Sequence, residues 1–402
     1  MFSESLPGIL ELAAVVGTQP PLSRAGTAEL ADKAAAGESL SRDEIFSLMN
    51  GLSEPANAEV VLDRARSQRR PNDDQLLLLP PLYFSSICEN TCAYCDFSLG
   101  GGTRLSTSGF QKEVEALMKL GYRSIELVSS QDPELYVHCE AFDLDDQRFD
   151  LNGAAHYFQI LRSSLGNHGS GMITSNIPPV DTDSFRVLRD AGLDCYLVWL
   201  ETFDTTQYRR LHSRYGPKGN QAYRVDSFER ARAAGIEHVA GAFLKGLAEW
   251  RREELVLYLF DRYLKDRFGR GFSIIGSPRV KGRFLRSGAI RQFNMSDEEY
   301  ELNIALDRLL FDGILWLQTR ESFDLNRRLI NSFGGGVILT LTSSTAPGGY
   351  AAPAEVASQF PIYKQNLDAA VEVLRDDGFD VRFSWNAEHL AACQRNGYSN
   401  RS

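Results

Sequence analysis

From Leu76 onward, short apolar runs alternate with amphipathic stretches of roughly 10 to 17 residues, and this rhythm limits the fold more than any other feature of the chain. Two parallel strands can be joined only by a long crossover, usually a helix, so a sustained strand–helix alternation specifies a parallel sheet. Strands are predicted at 80–87, Ser124–Ser129, Met172–Ser175, Tyr196–Glu201, His238–Phe243, Phe272–Ile275, Ile314–Thr319 and Val337–Leu341. Helices are predicted between them, among them Ser108–Leu120, Asp181–Ala191, Val225–Ala234, Arg252–Phe268, Asp297–Phe311 and Phe323–Phe333. Gly121, Gly192 and Gly235 each follow a predicted helix end, where a left-handed residue is expected. Eight such units argue for the α/β class and a (βα)8 TIM-type barrel, complete or slightly open.

The flanks read differently. Residues 1–70 are polar and helical in pattern, with Ser41 and Glu44 spaced as a capping box, and are expected to form an N-terminal extension. The charged stretch Arg64–Pro71 reads as a linker. The barrel is expected over 76–345, and 346–402 as a short C-terminal α/β tail closing it, with a helix at Leu367–Asp376 followed by Phe379–Trp385. With 43% hydrophobic and 24% charged residues, the chain has an ordinary soluble globular composition. Its formal net charge of -10 argues against a broad nucleic-acid-binding surface. The start carries no positive n-region, and the longest apolar candidate, Leu76–Leu82, is strand-sized and contains Pro80 and Pro81, so no membrane association is expected.

Of six cysteines, three fall in one C-x3-C-x2-C run, Cys88, Cys92 and Cys95; Cys139, Cys195 and Cys393 are scattered. A disulfide framework would be denser, so a reducing, cytoplasmic setting is expected. Structural zinc and iron–sulfur sites normally use four protein ligands. Three thiols on one tight loop with no fourth nearby suit an iron–sulfur cluster with one iron left open. The bland alternative is a zinc knuckle lacking a ligand, for which His138 and Cys139 are distant and in no recognisable spacing. The triplet begins where the first predicted strand ends, at the barrel face that carries active sites.

With Tyr94 just before the last cysteine, this run resembles the signature of the radical S-adenosylmethionine superfamily. The resemblance implies that Cys88, Cys92 and Cys95 hold a [4Fe–4S] cluster whose open iron chelates S-adenosylmethionine. Reductive cleavage of the sulfonium then gives a 5′-deoxyadenosyl radical that abstracts a substrate hydrogen. Over roughly residues 76–390 several segments are similar to the aromatic amino-acid lyase branch, of the thiamine-biosynthesis tyrosine lyase (2-iminoacetate synthase) type. They are Tyr83-Phe84-Ser85-Ser86-Ile87-Cys88, Leu200-Glu201-Thr202-Phe203-Asp204 with Tyr208, Thr319-Arg320-Glu321-Ser322, Thr345-Ala346-Pro347-Gly348-Gly349-Tyr350 and Phe379-x5-Trp385. The branch implies hydrogen removal from the amino group of a free aromatic L-amino acid and fragmentation of Cα–Cβ, tyrosine giving 2-iminoacetate and p-cresol. A flavodoxin- or ferredoxin-type electron donor is implied as partner.

The resemblance also assigns residues. Tyr94 belongs to the cofactor-binding loop. Glu201, at the end of the fourth predicted strand, implies an S-adenosylmethionine contact; its alternative is a strand-end carboxylate facing solvent. Arg224 matches the arginine that meets the methionine carboxylate, against an ordinary helix-surface role. Arg320 matches the substrate carboxylate anchor, against a rim ion pair with Glu321. Thr340 and Ser343 match two serines near that carboxylate, against strand-end packing. Arg279, in Ser277-Pro278-Arg279, reads evenly as substrate contact or barrel clasp, and neither His212 nor Lys245 is assigned a role. The sequence departs from the branch at Val128-Ser129-Ser130-Gln131-Asp132-Pro133, where a glycine–glutamate pair usually receives the methionine amino group; Gln131 or Asp132 is the expected substitute. Leu200 stands where glutamine is usual, and Val137–Asp150 is longer and more acidic than expected. These departures keep tryptophan or another small metabolite open as substrate, and a non-catalytic iron–sulfur scaffold as the reading from another class. The hydrogenase-maturation relative carries a second, C-terminal cysteine motif, where this chain has only Cys393, so that function is not expected.

Overall fold

The structure, a computed structural model, describes residues 1–99, 101–138, 147–149, 153–166, 171–212, 217–282, 284, 287–342, 344–352, 359–364 and 366–394. In chain order its strands are β1 (Gln75–Leu78), β2 (Pro81–Ser85), β3 (Ile125–Ser129), β4 (Tyr136–His138), β5 (Gln147–Phe149), β6 (Ile173–Asn176), β7 (Cys195–Glu201), β8 (His238–Phe243), β9 (Ile274–Gly276), β10 (Ile314–Leu317), β11 (Val337–Leu339) and β12 (Asp380–Arg382). Strands β4 and β5 form a separate antiparallel pair. The other ten make one parallel sheet in the order β12-β1-β11-β10-β9-β8-β7-β6-β3-β2. Because β1 and β2 are consecutive in sequence yet stand near opposite ends of this order, the sheet curls on itself as a TIM-type barrel does.

The seam explains a difference from the sequence reading. The sequence predicts one strand at 80–87, whereas the structure has strands on both sides of Leu79-Pro80. Proline has no N–H and pushes its predecessor out of ladder geometry. β1 therefore pairs with β11 and β12, and β2 pairs with β3. The stretch 64–71 is also not a linker. Its first residues finish the helix Pro55–Ser67, and Arg70, buried, donates to the carbonyls of Arg308, Phe311 and Gly313. The predicted helix Val225–Ala234 is two, Gln221–Val225 and Ser227–Ala233, meeting at Asp226. Gly121, Gly192 and Gly235 hold φ of 95°, 115° and 86° after their helices, where a Cβ would be strained.

The amphipathic helices pack outside the barrel, with the N-terminal ones over them. Phe2 stacks on Phe260 of the helix Trp250–Phe268 at 4.0 Å between centroids, and burial of such a side chain stabilises by about 2 kcal/mol. The Ser41–Glu44 capping box is present, with Glu44 N–H donating to Ser41 Oγ and Ser41 N–H to Glu44 Oε2. The lumen is filled by Leu77, Leu197, Ala240, Ile274, Trp316 and Ile338, and Trp385 joins them from the chain's closing segment. Trp385 Nε1 donates to Leu78 O at 2.9 Å. Among the described residues no helix is long and apolar enough to cross a membrane.

Candidate active site

The cysteine loop leaves the end of β2 and is tied down on three sides. Glu89 N–H donates to Gln131 O, Ala93 N–H to Leu211 O and Asp96 N–H to Gln359 O, at 3.0, 3.3 and 3.0 Å. Cys88, Cys92 and Cys95 are in no disulfide and share one cleft with Gln131, Glu201, Lys218 and Arg224. Burial pushes the Cys95 thiol up to about 12 and raises Cys92 as well, so iron must displace a proton to bind there. Among the described residues no three His, Cys, Asp or Glu side chains converge as the ligands of a single ion would. A [4Fe–4S] cluster needs no such convergence, because each thiolate takes a different iron. Three cysteine thiols outside any disulfide, spread around one cleft beside two cations, therefore fit a cluster.

Glu201 is where the strain lies. Its φ is +66°, a region that side chains other than glycine enter rarely, and the pairing of β7 with β8 shifts register between Trp199 and Glu201. The bulge turns the carboxylate into the cleft. Lys218 Nζ reaches it at 2.6 Å and Arg224 Nη2 at 3.4 Å. Burial raises the Glu201 carboxyl, but Lys218 and Arg224 outweigh it and hold the group at about 2. The loop that follows is fixed by the buried Glu253, which accepts from Thr202 Oγ1, Phe203 N–H and Asp204 N–H at 3.0, 2.7 and 3.1 Å. Arg224 is no surface residue: its Nε donates to Trp199 O at 2.7 Å.

Gln131 and Asp132 separate cleanly. Asp132 accepts from Arg104 Nε and Nη2 at 2.8 and 2.6 Å and from Ser85 Oγ at 2.6 Å, so it holds the loop after β3. Gln131 lines the cleft, 5% exposed, and its Nε2 has no hydrogen-bond partner. An orphaned buried amide of this kind costs on the order of 1–3 kcal/mol unless a ligand meets it. Tyr94 turns away: its hydroxyl donates to His212 Nε2, while His212 Nδ1 donates to Tyr208 O at 2.8 Å. Burial lowers His212 to about 3, so the ring is neutral and braces the cysteine loop from behind.

The two arginines left open by the sequence have opposite surroundings. Arg279 spends its donors on Glu321, Asp297 and the carbonyls of Met295 and Ser296, and is a clasp. Glu321 is thereby taken, with Lys281 also on it at 2.8 Å. Arg320 is 7% exposed, stacks over Phe360 at 3.6 Å and has no carboxylate partner among the described residues; its Nε has no hydrogen bond. Burial lowers its pKa, and the groups that counter this are Tyr83, Glu201, Cys95 and Tyr94, all belonging to this site. Thr340 lies in the wall: its hydroxyl donates to Leu79 O at 3.0 Å and accepts from Trp316 Nε1 at 2.7 Å. Its one hydrogen is committed there, and strand-end packing is the reading that fits. Ser343 and most of the long acidic segment Val137–Asp150 lie outside the described residues.

Sequence reasoning missed Lys218, Asn90 and Asn176. Lys218 sits in a Pro217–Gly219 turn docked against the cysteine loop, its N–H on Asn90 Oδ1 at 3.4 Å and its Nζ 5.4 Å from the Tyr94 ring centroid. A lysine between proline and glycine reads as solvated turn, and only its position between Tyr208 and Arg224 hints otherwise. Asn176 ends β6 and lines the cleft.

Comparison with known proteins agrees with this geometry. Residues 82–259 match the model of the radical SAM superfamily. The chain is 26% identical over 382 residues to the 2-iminoacetate synthase of Escherichia coli K12, covering 92% of this chain and 94% of that protein. It is 23% identical over 211 residues to the 3-methylornithine synthase of Methanosarcina acetivorans, covering 51% and 55%. The X-ray structure of the [FeFe]-hydrogenase maturase HydG from Carboxydothermus hydrogenoformans superposes with a TM-score of 0.79 at 26% identity, covering 99% of this chain and 86% of that one. The cofactors of the superfamily are a [4Fe–4S] cluster and S-adenosylmethionine, which three thiols and a cation-flanked carboxylate in one cleft are equipped to hold. Residues 82–259 are thus a radical SAM domain, and the chain is similar over most of its length to enzymes of the 2-iminoacetate synthase type.

Proposed function

We propose that this enzyme cleaves the Cα–Cβ bond of a free aromatic L-amino acid, tyrosine giving 2-iminoacetate and p-cresol. The observation that carries the reading is Arg320, a buried guanidinium at the barrel mouth with no carboxylate partner among the described residues. A free amino acid supplies the missing anion, and a planar guanidinium holds a carboxylate in bidentate fashion. Cys88, Cys92 and Cys95 hold the cluster, which with S-adenosylmethionine supplies a carbon-centred radical. Gln131 offers its free amide to the methionine end of that cofactor. Arg224 and Lys218 keep Glu201 ionised and oriented toward it, and Tyr94 fixes the loop behind the cluster. Ser343 is assigned to the substrate carboxylate by the resemblance alone, while Thr340 steadies Trp316.

The division into an N-terminal extension to residue 70, a barrel over 76–345 and a closing segment to 402 is part of this reading. So are a flavodoxin- or ferredoxin-type donor and a cytoplasmic location, which suits a cluster held by cysteine thiolates. Incubation of the reconstituted protein with dithionite, S-adenosylmethionine and tyrosine is expected to yield 5′-deoxyadenosine and p-cresol. Abundant 5′-deoxyadenosine without cresol refutes tyrosine as substrate and favours tryptophan or another small metabolite. No cleavage of S-adenosylmethionine by the fully loaded, reduced protein refutes catalysis altogether and leaves a scaffold.

A further inference from the structure

Two of the buried ionisable groups near the barrel mouth have no ion-pair partner among the described residues and are not claimed by a loop. One is Arg320. The other is Glu126, the second residue of β3 and 5% exposed. On this strand Ile125 and Leu127 belong to the core between sheet and helices, whereas Val128 lines the cleft. Side chains alternate along a strand, so Glu126 projects into the lumen with Val128. The side chains that face the lumen around it are otherwise apolar, among them Leu197, Ala240 and Trp316. Among the described residues no cation pairs with the Glu126 carboxyl; burial outweighs a hydrogen bond from Asn176 and pushes it up to about 8.

Tyr83 pairs with Val128 and Pro81 pairs with Glu126, so Tyr83 stands one inward step above the acid. Arg320 lies beyond the C-terminal end of β10, which is Leu317, while Glu126 lies three residues short of the end of β3, about 10 Å below it at strand spacing. A ligand bridging them points its carboxylate outward and its side chain down the lumen. Packing alone favours an apolar residue at such a place, because an unpaired buried polar group is costly. Buried ionisable groups without structural partners cluster at ligand sites.

We propose that Glu126 is a specificity-determining residue: it receives a hydrogen-bond donor at the far end of the substrate side chain while Arg320 holds the carboxylate. The substrate class is then a free amino acid with a distal hydroxyl, indole N–H or ammonium. Asn176 holds the carboxyl in place from the neighbouring strand. The inference rests on the amino-acid reading above and narrows it.

The test uses matched pairs differing only in the distal donor: tyrosine and phenylalanine, tryptophan and 1-methyltryptophan, lysine and norleucine. Binding is measured calorimetrically to the cluster-loaded protein with S-adenosylmethionine present. In the natural protein one donor-bearing member is expected to bind roughly 10- to 100-fold tighter than its partner, the range for leaving a buried polar group unpaired. Glu126→Leu is expected to collapse that ratio toward one, and Glu126→Gln to keep part of it. Unchanged S-adenosylmethionine affinity in both variants reports an intact site. A ratio that survives Glu126→Leu overturns the role of Glu126 and leaves the amino-acid reading standing. If no member of any pair binds while S-adenosylmethionine does, the amino-acid reading and this inference fall together.

Discussion

Neutralising Glu201 is the most direct probe of the site. Its carboxylate is 6% exposed and serves Lys218 at 2.6 Å and Arg224 at 3.4 Å, themselves 15% and 10% exposed. Glu201→Gln keeps the shape and removes the charge, leaving two buried cations facing each other. The carboxyl is held at about 2 rather than 4.5, and each pH unit is worth about 1.4 kcal/mol, so the ionised form contributes about 3 kcal/mol. Breaking a buried ion pair by removing one partner costs about 3–5 kcal/mol, which agrees. A group with a depressed folded-state pKa stabilises above its unfolded value and loses that contribution as pH falls through its folded one. Urea unfolding of the metal-free protein is therefore expected to put Glu201→Gln about 3 kcal/mol below the natural protein near neutrality. The gap closes between pH 4.5 and about 2. A difference under about 1 kcal/mol at neutrality, or one independent of pH, refutes the reasoning and means the desolvation of three charges cancels their attraction.

Other outcomes are expected. Arg320→Ala removes an unpaired buried guanidinium, so it spares S-adenosylmethionine binding while weakening the amino-acid substrate about 100-fold or more; loss of cofactor binding alone refutes its assignment. Cys92→Ala abolishes cluster loading, read as loss of the broad thiolate–iron absorbance near about 400 nm. At Gly276 a Cβ would meet the Trp199 ring at 2.3 and 2.4 Å, so Gly276→Ala destabilises by roughly 1–3 kcal/mol; an effect under about 0.5 kcal/mol in urea unfolding refutes that packing. Glu253 is raised from 4.5 to about 8 by burial despite its hydrogen bonds to the Thr202–Asp204 loop. Its contribution is full below pH 4.5 and is lost as pH rises through about 8, so Glu253→Gln flattens the alkaline fall in stability.

The barrel was legible because a strand buried on both faces must be apolar along its length, and a crossover helix must be amphipathic. The cysteine loop was legible because metal ligation needs particular atoms at short spacing. The strand at Gln75–Leu78 was missed because Pro80 and Pro81 make one apolar run out of two pairing partners. Gln131 and Asp132 stand side by side in the sequence, and only Arg104 and Ser85, brought in from the first strand and its following loop, show which of them is taken.

The sequence by itself therefore determined the alternation that closes a parallel barrel, and the three thiols at its mouth. Both are local, carried by the period of apolar residues and by spacing within a loop. Only the tertiary structure decided which charges are satisfied. Arg279 and Arg320 both follow strands, yet Glu321 lies on Arg279 and not on its own neighbour in sequence. Glu126 is one acid among many until the curl of the sheet turns it into an apolar lumen. Whether a charged group is structural or functional depends on the partners that distant strands bring to it, and residue order does not carry that information.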